Sequence, residues 1–332
     1  MDLHLGRTAK TLEPRDQRVT DDQGVTYTFD KLLLATGGTP RRLRIDNDPT
    51  VYFRTVDDYR RLHRLSEQSE RFGVIGGGFI GSEIAAALAM NGKDVTMVFL
   101  EEAIGGHVFP HELGLFLNDF YRRKGVHVLP GQAVTDIERR GGRLAMRIGD
   151  RQEIEVDGVV AGIGLQPNIE LAATAGLRIS NGIVVDSLLR TTHPDIYAAG
   201  DVAAFHNPAL GKRVRVEHED NANTMGRCAG RNMAGEATPY HYLPSFYSDL
   251  FDLGYEAMGD LDARLETVSN WQEPYRKGVV YYLENGRVRG VLLWNVWQQV
   301  DAARRLIARP GPFSAADLEK RMLLPGATAA AI

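Results

Sequence analysis

Gly76, Gly78 and Gly81, in the stretch VIGGGFIGSE, form a G-x-G-x-x-G pattern. The first glycine permits a tight turn, the second lets the backbone approach a pyrophosphate, and the third allows a helix to pack closely on a strand. Gly77 and Ile80 belong to the same candidate phosphate loop, and the helix that starts there would offer free N–H groups and its positive dipole end to the anion. Glu101 follows 25 residues after Gly76. A carboxylate at that point accepts hydrogen bonds from ribose hydroxyls and repels a 2′-phosphate, which favours NAD(H) over NADP(H); Glu102 adds the same sign. Taken alone, the glycines also suit a turn in some other α/β protein, and Glu101 alone suits a solvated strand end.

Two further turns are built from small residues. LLLATGG, residues 32–38, and DIYAAGDVA, residues 195–203, each read as a buried strand ending where backbone or a helix can come close to a flat ligand. Asp201 sits in the second of them, where a carboxylate can bond a polyol chain.

The elements that must position these residues are legible as patterns. The opening segment reads as short β strands with a hairpin-like turn at Asp21–Gly24, ending in the apolar strand Leu32–Ala35. TVDDYRRLHRLSEQ predicts a surface helix, FGVIG (72–76) a strand, and Ile80, Ile84 and Leu88 the apolar face of a helix that ends near Asn91-Gly92. With the strand Val95–Leu100 this completes one βαβ unit. HELGLFLNDFYRRKG reads as a helix, VHVLPG as a strand, and residues 134–164 as a run of antiparallel strands turning at Gly141-Gly142. A helix is expected over His218–Met233. Aromatic-rich strands follow, with a hairpin turn at Asn285-Gly286 and one helix near 298–308. Trp294 and Trp297 read as core, Cys228 as inert packing on its small-residue helix, and the final LLPGATAAAI as a frayed tail.

Composition narrows the function classes. A net charge of -4, with 43% hydrophobic and 25% charged residues, gives no basic field to recruit nucleic acid. The single cysteine, Cys228, excludes an intrachain disulfide, a CxxC redox pair, a disulfide substrate and a thiolate zinc site. Redox chemistry therefore needs a bound cofactor. No apolar run has the length of a membrane span and MDLHLGRTAK is not a signal peptide, so a soluble, cytoplasmic protein is expected.

The combination of LLLATGG, the inserted GGGFIG unit and DIYAAGDVA, in that order, resembles the two-dinucleotide-binding flavoproteins, the FAD- and NAD(P)H-dependent pyridine nucleotide oxidoreductases. Within that family FYSDLFDLGYEAMGDLD (246–262) and VLLWN (291–295) are most similar to apoptosis-inducing-factor-like proteins, with ferredoxin and rubredoxin reductases as neighbours. The resemblance runs from about Asp2 to Leu306.

It implies an α/β fold of tandem Rossmann-like FAD and NAD(P) domains plus a C-terminal α+β interface domain. The expected boundaries are residues 1–50 and 166–240 for FAD, 51–165 for NAD, and 241–332 for a C-terminal, dimerisation-like domain. It also implies site residues. Gly76 to Gly81, Glu101 and Gly164 of GIGLQPN would serve NAD. Thr36, Gly37, Arg41, Gly200 and Asp201 would contact flavin, with Asp201 on the ribityl chain. Glu217 and His218 of VEHED would lie by the flavin pyrimidine and the nicotinamide, at the start of a helix whose positive dipole end faces the flavin. Tyr247, Glu256 and Asn295 would close over the flavin. His107 stands where the apoptosis-inducing-factor relatives carry a lysine near the nicotinamide nucleotide. Blander readings stay open: a helix cap for His218, a solvated charge for Arg41, ordinary core for Tyr247.

The family's chain begins with a strand and a first G-x-G-x-x-G loop for the FAD pyrophosphate, whereas residues 1–30 here resemble the region just after it. The FAD domain is thus expected to be truncated at its N-terminus. Glu83 resembles a family glutamate that pairs, near the flavin ring, with a lysine in that first segment. It is expected to lie unpaired here, with a raised pKa. The implied activity is hydride transfer from NADH to flavin and electron delivery to an iron–sulfur protein, a quinone or oxygen, with Glu83 and His218 as the candidate catalytic residues and a homodimer as a candidate assembly. Two other readings fit: a flavin-less NAD-binding module, and an apoptosis-inducing-factor-like protein whose partner binding responds to NADH.

Overall fold

The computed structural model describes residues 2–45, 49–150, 152–319 and 321; the expected frayed tail falls outside them. The chain forms two compact units, Met1–Thr39 with Gln166–Phe246, and Pro40–Leu165 with Tyr247–Ile332. Its helices, in chain order, are α1 (Val56–Gln68), α2 (Phe79–Met90), α3 (His111–Arg123), α4 (Glu170–Thr174), α5 (Glu219–Met233), α6 (Val300–Ala308) and α7 (Ala315–Leu318). No helix among the described residues is long and apolar enough to cross a membrane.

The second unit holds a five-stranded parallel sheet. In it Arg71–Ile75 lies between Asp94–Val98 and Gly158–Ala161, with Val126–Leu129 and Val51–Tyr52 at the edges. Both faces of such a sheet are covered, so its strands are continuous apolar runs. Phe72, Val74, Val95, Met97 and Val160 are all at 0% exposure. Gly158–Ala161 corrects the expected antiparallel run. Only Val134–Arg140, Arg143–Ile148 and Gln152–Val156 form an antiparallel sheet, whereas Gly158–Ala161 turns away and pairs in parallel with Arg71–Ile75. GVVA is buried at every position, which suits the interior of the parallel sheet and not a one-sided ribbon.

Helix α1 is a surface helix, as its charge pattern predicts. Thr55 and Asp58 close a capping box at its start, and Leu62 is its one buried side chain. Helix α2 buries Ile84 and Leu88 with Ala85 and Ala86, but Ile80 is 40% exposed. The apolar stripe thus begins one turn later than the spacing suggested, because the helix start is occupied by the glycine turn.

From Ser245 the chain builds a five-stranded sheet with spatial order Ser245–Leu250, Leu253–Gly259, Arg287–Trp294, Lys277–Glu284 and Glu266–Glu273, the last four paired antiparallel. Trp294, Tyr255, Tyr281 and Tyr282 are fully buried in it, while Trp297, read as core from the sequence, is 48% exposed.

The first unit pairs Leu32–Leu34 in parallel with Ile196–Ala198, register Leu33 to Tyr197. An antiparallel ribbon of Ala9–Glu13, Arg18–Asp21 and Thr26–Thr28 precedes them, turning at Asp21 as expected. Asp21 accepts hydrogen bonds from the N–H groups of Gln23 and Val25 and so closes that turn. The core of this unit gathers Leu34, Ile196, Ala198, Phe205 and, from α5, Met225 and Ala229.

Candidate functional site

The glycine turn joins the strand Arg71–Ile75 to α2. Gly76 has φ +108°, and a side chain there would meet the Gly162 carbonyl oxygen at 2.3 Å. A Cβ on Gly81 would stand 2.0 Å from the Gly76 oxygen, and one on Gly77 would stand 2.8 Å from the Phe99 ring. These three glycines are required by the fold itself. Gly78 differs: it precedes the first turn of α2, no side chain caps the helix, and a Cβ there meets nothing within 4 Å. The turn therefore presents a helix N-terminus to open space, which is what a pyrophosphate needs.

Glu101 lies just past the strand Asp94–Val98, and His107 Nε2 sits 2.9 Å from its Oε1. The loop carrying both is fastened at two points. The Gly105 N–H donates to the Gly77 carbonyl at 2.8 Å, which ties the loop to the glycine turn. Asn118 of α3, 3% exposed, accepts from the Ile104 N–H at 3.0 Å and donates to the Glu102 carbonyl at 2.9 Å. Asn118 was not singled out by sequence; its signal is a lone amide on the apolar face of HELGLFLNDFY.

Gly164, at φ +94°, accepts a hydrogen bond from the Arg41 N–H at 2.9 Å, and the exposed Arg41 side chain runs beside it. Glu83, on α2, is not unpaired. Ser248 Oγ donates to its Oε1 at 2.5 Å, which corrects the expectation that without a lysine the carboxylate has no partner. The expected rise in pKa does hold: burial pushes Glu83 up, the neighbouring Asp249 charge adds to this, and the Ser248 hydrogen bond opposes it.

Among the C-terminal residues, Tyr247 is 68% exposed and so is not core. Glu256 is half-buried and burial raises its pKa. The Asn295 amide is engaged on both sides, its oxygen by the Gly254 N–H and its nitrogen by the Arg276 carbonyl, each at 2.8 Å.

The first unit assembles the other group of candidates at the C-terminal ends of its parallel pair. Thr36 Oγ1 donates to the Asn168 carbonyl at 2.7 Å, and Asn168 Nδ2 returns a bond to the Thr36 carbonyl at 2.8 Å. Asn168 also accepts from Thr39 Oγ1 at 2.9 Å and so clamps the ATGG turn around Gly37, φ +61°. It closes the quoted GIGLQPN motif but was not marked as functional, because its partners lie far away in sequence.

Across the pair, Gly200, φ +76°, leads into Asp201. Arg215 Nη1 bridges the Asp201 carbonyl at 3.1 Å and Glu217 Oε1 at 2.8 Å. His218 stands at the start of α5 but makes no side-chain cap bond. Its ring stacks on Phe246 instead, centroids 4.3 Å apart and 15° from parallel. Burial pushes its pKa down to about 4, against the pull of the Asp201 and Asp220 charges, so the ring is neutral at physiological pH. Cys228 is part-buried with a raised pKa, its Sγ donating to the Thr238 carbonyl at 3.4 Å, as befits packing.

A family model described as pyridine nucleotide-disulphide oxidoreductase matches residues 1–226. The chain belongs to this family. A second model, the mitochondrion-associated C-terminal region of apoptosis-inducing factor, matches residues 229–274 and 269–309. The chain is 35% identical to apoptosis-inducing factor 1, mitochondrial, of Dictyostelium discoideum, over 92% of its own length and 63% of that protein's. It thus spans under two thirds of that relative. It is also 35% identical to the ferredoxin–NAD(+) reductase component of the anthranilate 1,2-dioxygenase system of Burkholderia cepacia, over 95% of this chain and 79% of the other. Among solved structures, a covalent putidaredoxin reductase–putidaredoxin complex superposes with a TM-score of 0.88 at 29% identity, covering 95% of this chain and 78% of that one.

Membership of the pyridine nucleotide-disulphide oxidoreductases implies FAD and NAD(H) as bound cofactors, and the α/β fold with its Rossmann-like parallel sheet agrees. The residues present fit the nicotinamide dinucleotide: open space in front of Gly78, an uncapped helix start, and a carboxylate on the following loop. For flavin, the small-residue turns at Gly37 and Gly200 and the α5 start give a partial fit. The sequence holds one G-x-G-x-x-G, and that one serves α2.

Proposed function

We propose that this chain acts as an FAD-dependent NADH oxidoreductase that delivers electrons to a ferredoxin-type iron–sulfur protein. The observation that carries the reading is the turn at Gly78, open in front of an uncapped helix, with the Glu101–His107 pair on the loop fastened to it. In this reading Gly76, Gly77, Gly78, Ile80, Gly81, Glu101 and Gly164 hold NADH. Thr36, Gly37, Gly200, Asp201, Glu217 and His218 of the first unit serve flavin; for Arg41, Glu83, Tyr247, Glu256 and Asn295 a flavin role rests on the family resemblance alone.

When bound, the two cofactors supply the hydride transfer and the onward passage of electrons. The residues bind and orient. Glu101 accepts hydrogen bonds from ribose hydroxyls, and its charge opposes a 2′-phosphate. The first turn of α2 offers N–H groups to the pyrophosphate. Neutral His218, held flat by Phe246, keeps a fixed ring orientation and adds no positive charge at the start of α5. No side chain is needed as an acid or base for the hydride step itself.

The resemblance to a ferredoxin–NAD(+) reductase component supports an iron–sulfur acceptor. NADH-driven reduction of a [2Fe–2S] ferredoxin, followed by loss of the ferredoxin's visible absorbance, tests it. Catalytic bleaching that depends on both NADH and the chain is the expected result. Turnover with quinone or oxygen and none with ferredoxin would assign a different acceptor.

A further inference from the structure

Two residues of the C-terminal sheet, both within FYSDLFDLGYEAMGDLD, stand near Glu83. Ser248, 2% exposed on the strand Ser245–Leu250, donates its hydroxyl proton to Glu83 Oε1 at 2.5 Å. Tyr255, 1% exposed, stands on the neighbouring strand, close enough for both Ser248 and Glu83 to influence its hydroxyl. The tyrosine cannot drift, because its ring stacks on Trp294, centroids 5.5 Å apart and 8° from parallel, and takes Phe109 edge-on at 5.4 Å.

A serine hydroxyl has one proton to give and lone pairs to receive. While Glu83 is ionised, Ser248 must donate toward it. When Glu83 takes up a proton, it becomes able to donate and the direction can reverse. We propose that Ser248 is the positioning residue for Glu83, so that the C-terminal sheet sets the state of a carboxylate on the nucleotide-binding helix. The placing of Glu83 beside flavin rests on the function proposed above; the Ser248 hydrogen bond does not.

The groups that face Glu83 define what each change should do. Asp249 lies on the same strand as Ser248, Tyr121 reaches over from α3 with its hydroxyl on the Ser82 carbonyl at 3.0 Å, and Tyr255 stands behind Ser248. Burial and the Asp249 charge both favour protonated Glu83, and the Ser248 hydrogen bond favours the carboxylate. Removing that bond leaves the other two unopposed.

The test is a carbon-13 NMR titration of the full chain labelled at the glutamate side-chain carboxyls, with the Glu83 signal assigned by its loss in Glu83→Gln. Ser248→Ala should move the Glu83 midpoint up by about one pH unit, the size expected for one hydrogen bond to a charged group. Ser248→Thr, which keeps the hydroxyl donor, should restore it. Equal midpoints in the parent and Ser248→Ala, or Ser248→Thr behaving like Ala, would overturn the proposal. If Ser248→Ala does not fold, Ser248→Cys decides, because a thiol is a weak donor: an upward displacement supports the proposal and an unchanged midpoint refutes it. A chain that binds no flavin would sink the proposed function and leave this titration as informative as before.

Discussion

His107 Nε2 lies 2.9 Å from Glu101 Oε1, at the point where the loop after the second strand of the βαβ unit approaches the glycine turn. The histidine side chain is 85% exposed and the glutamate 30%, so the two do not contribute equally. An exposed ion pair contributes at most about 1 kcal/mol, whereas a carboxylate that reads ribose hydroxyls controls which nucleotide enters.

Glu101→Gln is therefore expected to narrow the preference for NADH over NADPH by about one to two orders of magnitude, the equivalent of one charged hydrogen bond and the lost repulsion. His107→Ala should change NADH affinity less than about fivefold. Dissociation constants from fluorescence titration with both nucleotides check this. A larger effect at His107 than at Glu101 would reverse the assignment of roles.

Gly78 and Gly81 separate binding from folding. A methyl at Gly81 would stand 2.0 Å from the Gly76 oxygen, so Gly81→Ala is expected to destabilise the chain strongly. A methyl at Gly78 meets no protein atom, so Gly78→Ala should keep the melting temperature of the free chain and lose at least about tenfold in NADH affinity by intruding on the phosphates. Unchanged NADH binding in Gly78→Ala would place the pyrophosphate elsewhere.

His218 should make stability depend on pH. Burial lowers its folded pKa to about 4 from 6.5, so between those values the unfolded chain holds more of this proton. Stability then rises with pH across that window and falls as pH drops through it. Melting curves at about pH 7 and about pH 4.5 should show the parent losing several degrees more than His218→Gln. Equal losses would mean that the ring is not buried in its neutral form.

How much of this was readable from the chain depends on the range of the interaction. The glycine turn, α2 and the next strand are local, and GGGFIG followed by VTMV was enough to place them. The capping box of α1 and the turn at Asp21 are local as well. Gly158–Ala161 was misread because a short apolar run carries no information about its partner, which is Arg71–Ile75, far back in the sequence. Ile80 was misread because its periodicity matched the helix while its position fell on the turn's open side. The Ser248 bond to Glu83 and the Asn168 clamp on Thr36 join residues more than a hundred positions apart, through side chains too common to stand out.

The central claim, that this chain moves electrons from NADH through a flavin, is tested most directly by an anaerobic NADH titration of the purified 332-residue chain after incubation with FAD. The account predicts a yellow protein whose absorption near about 450 nm bleaches with about one equivalent of NADH. A protein that retains no flavin, or one whose flavin band NADH leaves unchanged while NADH itself binds, would contradict it.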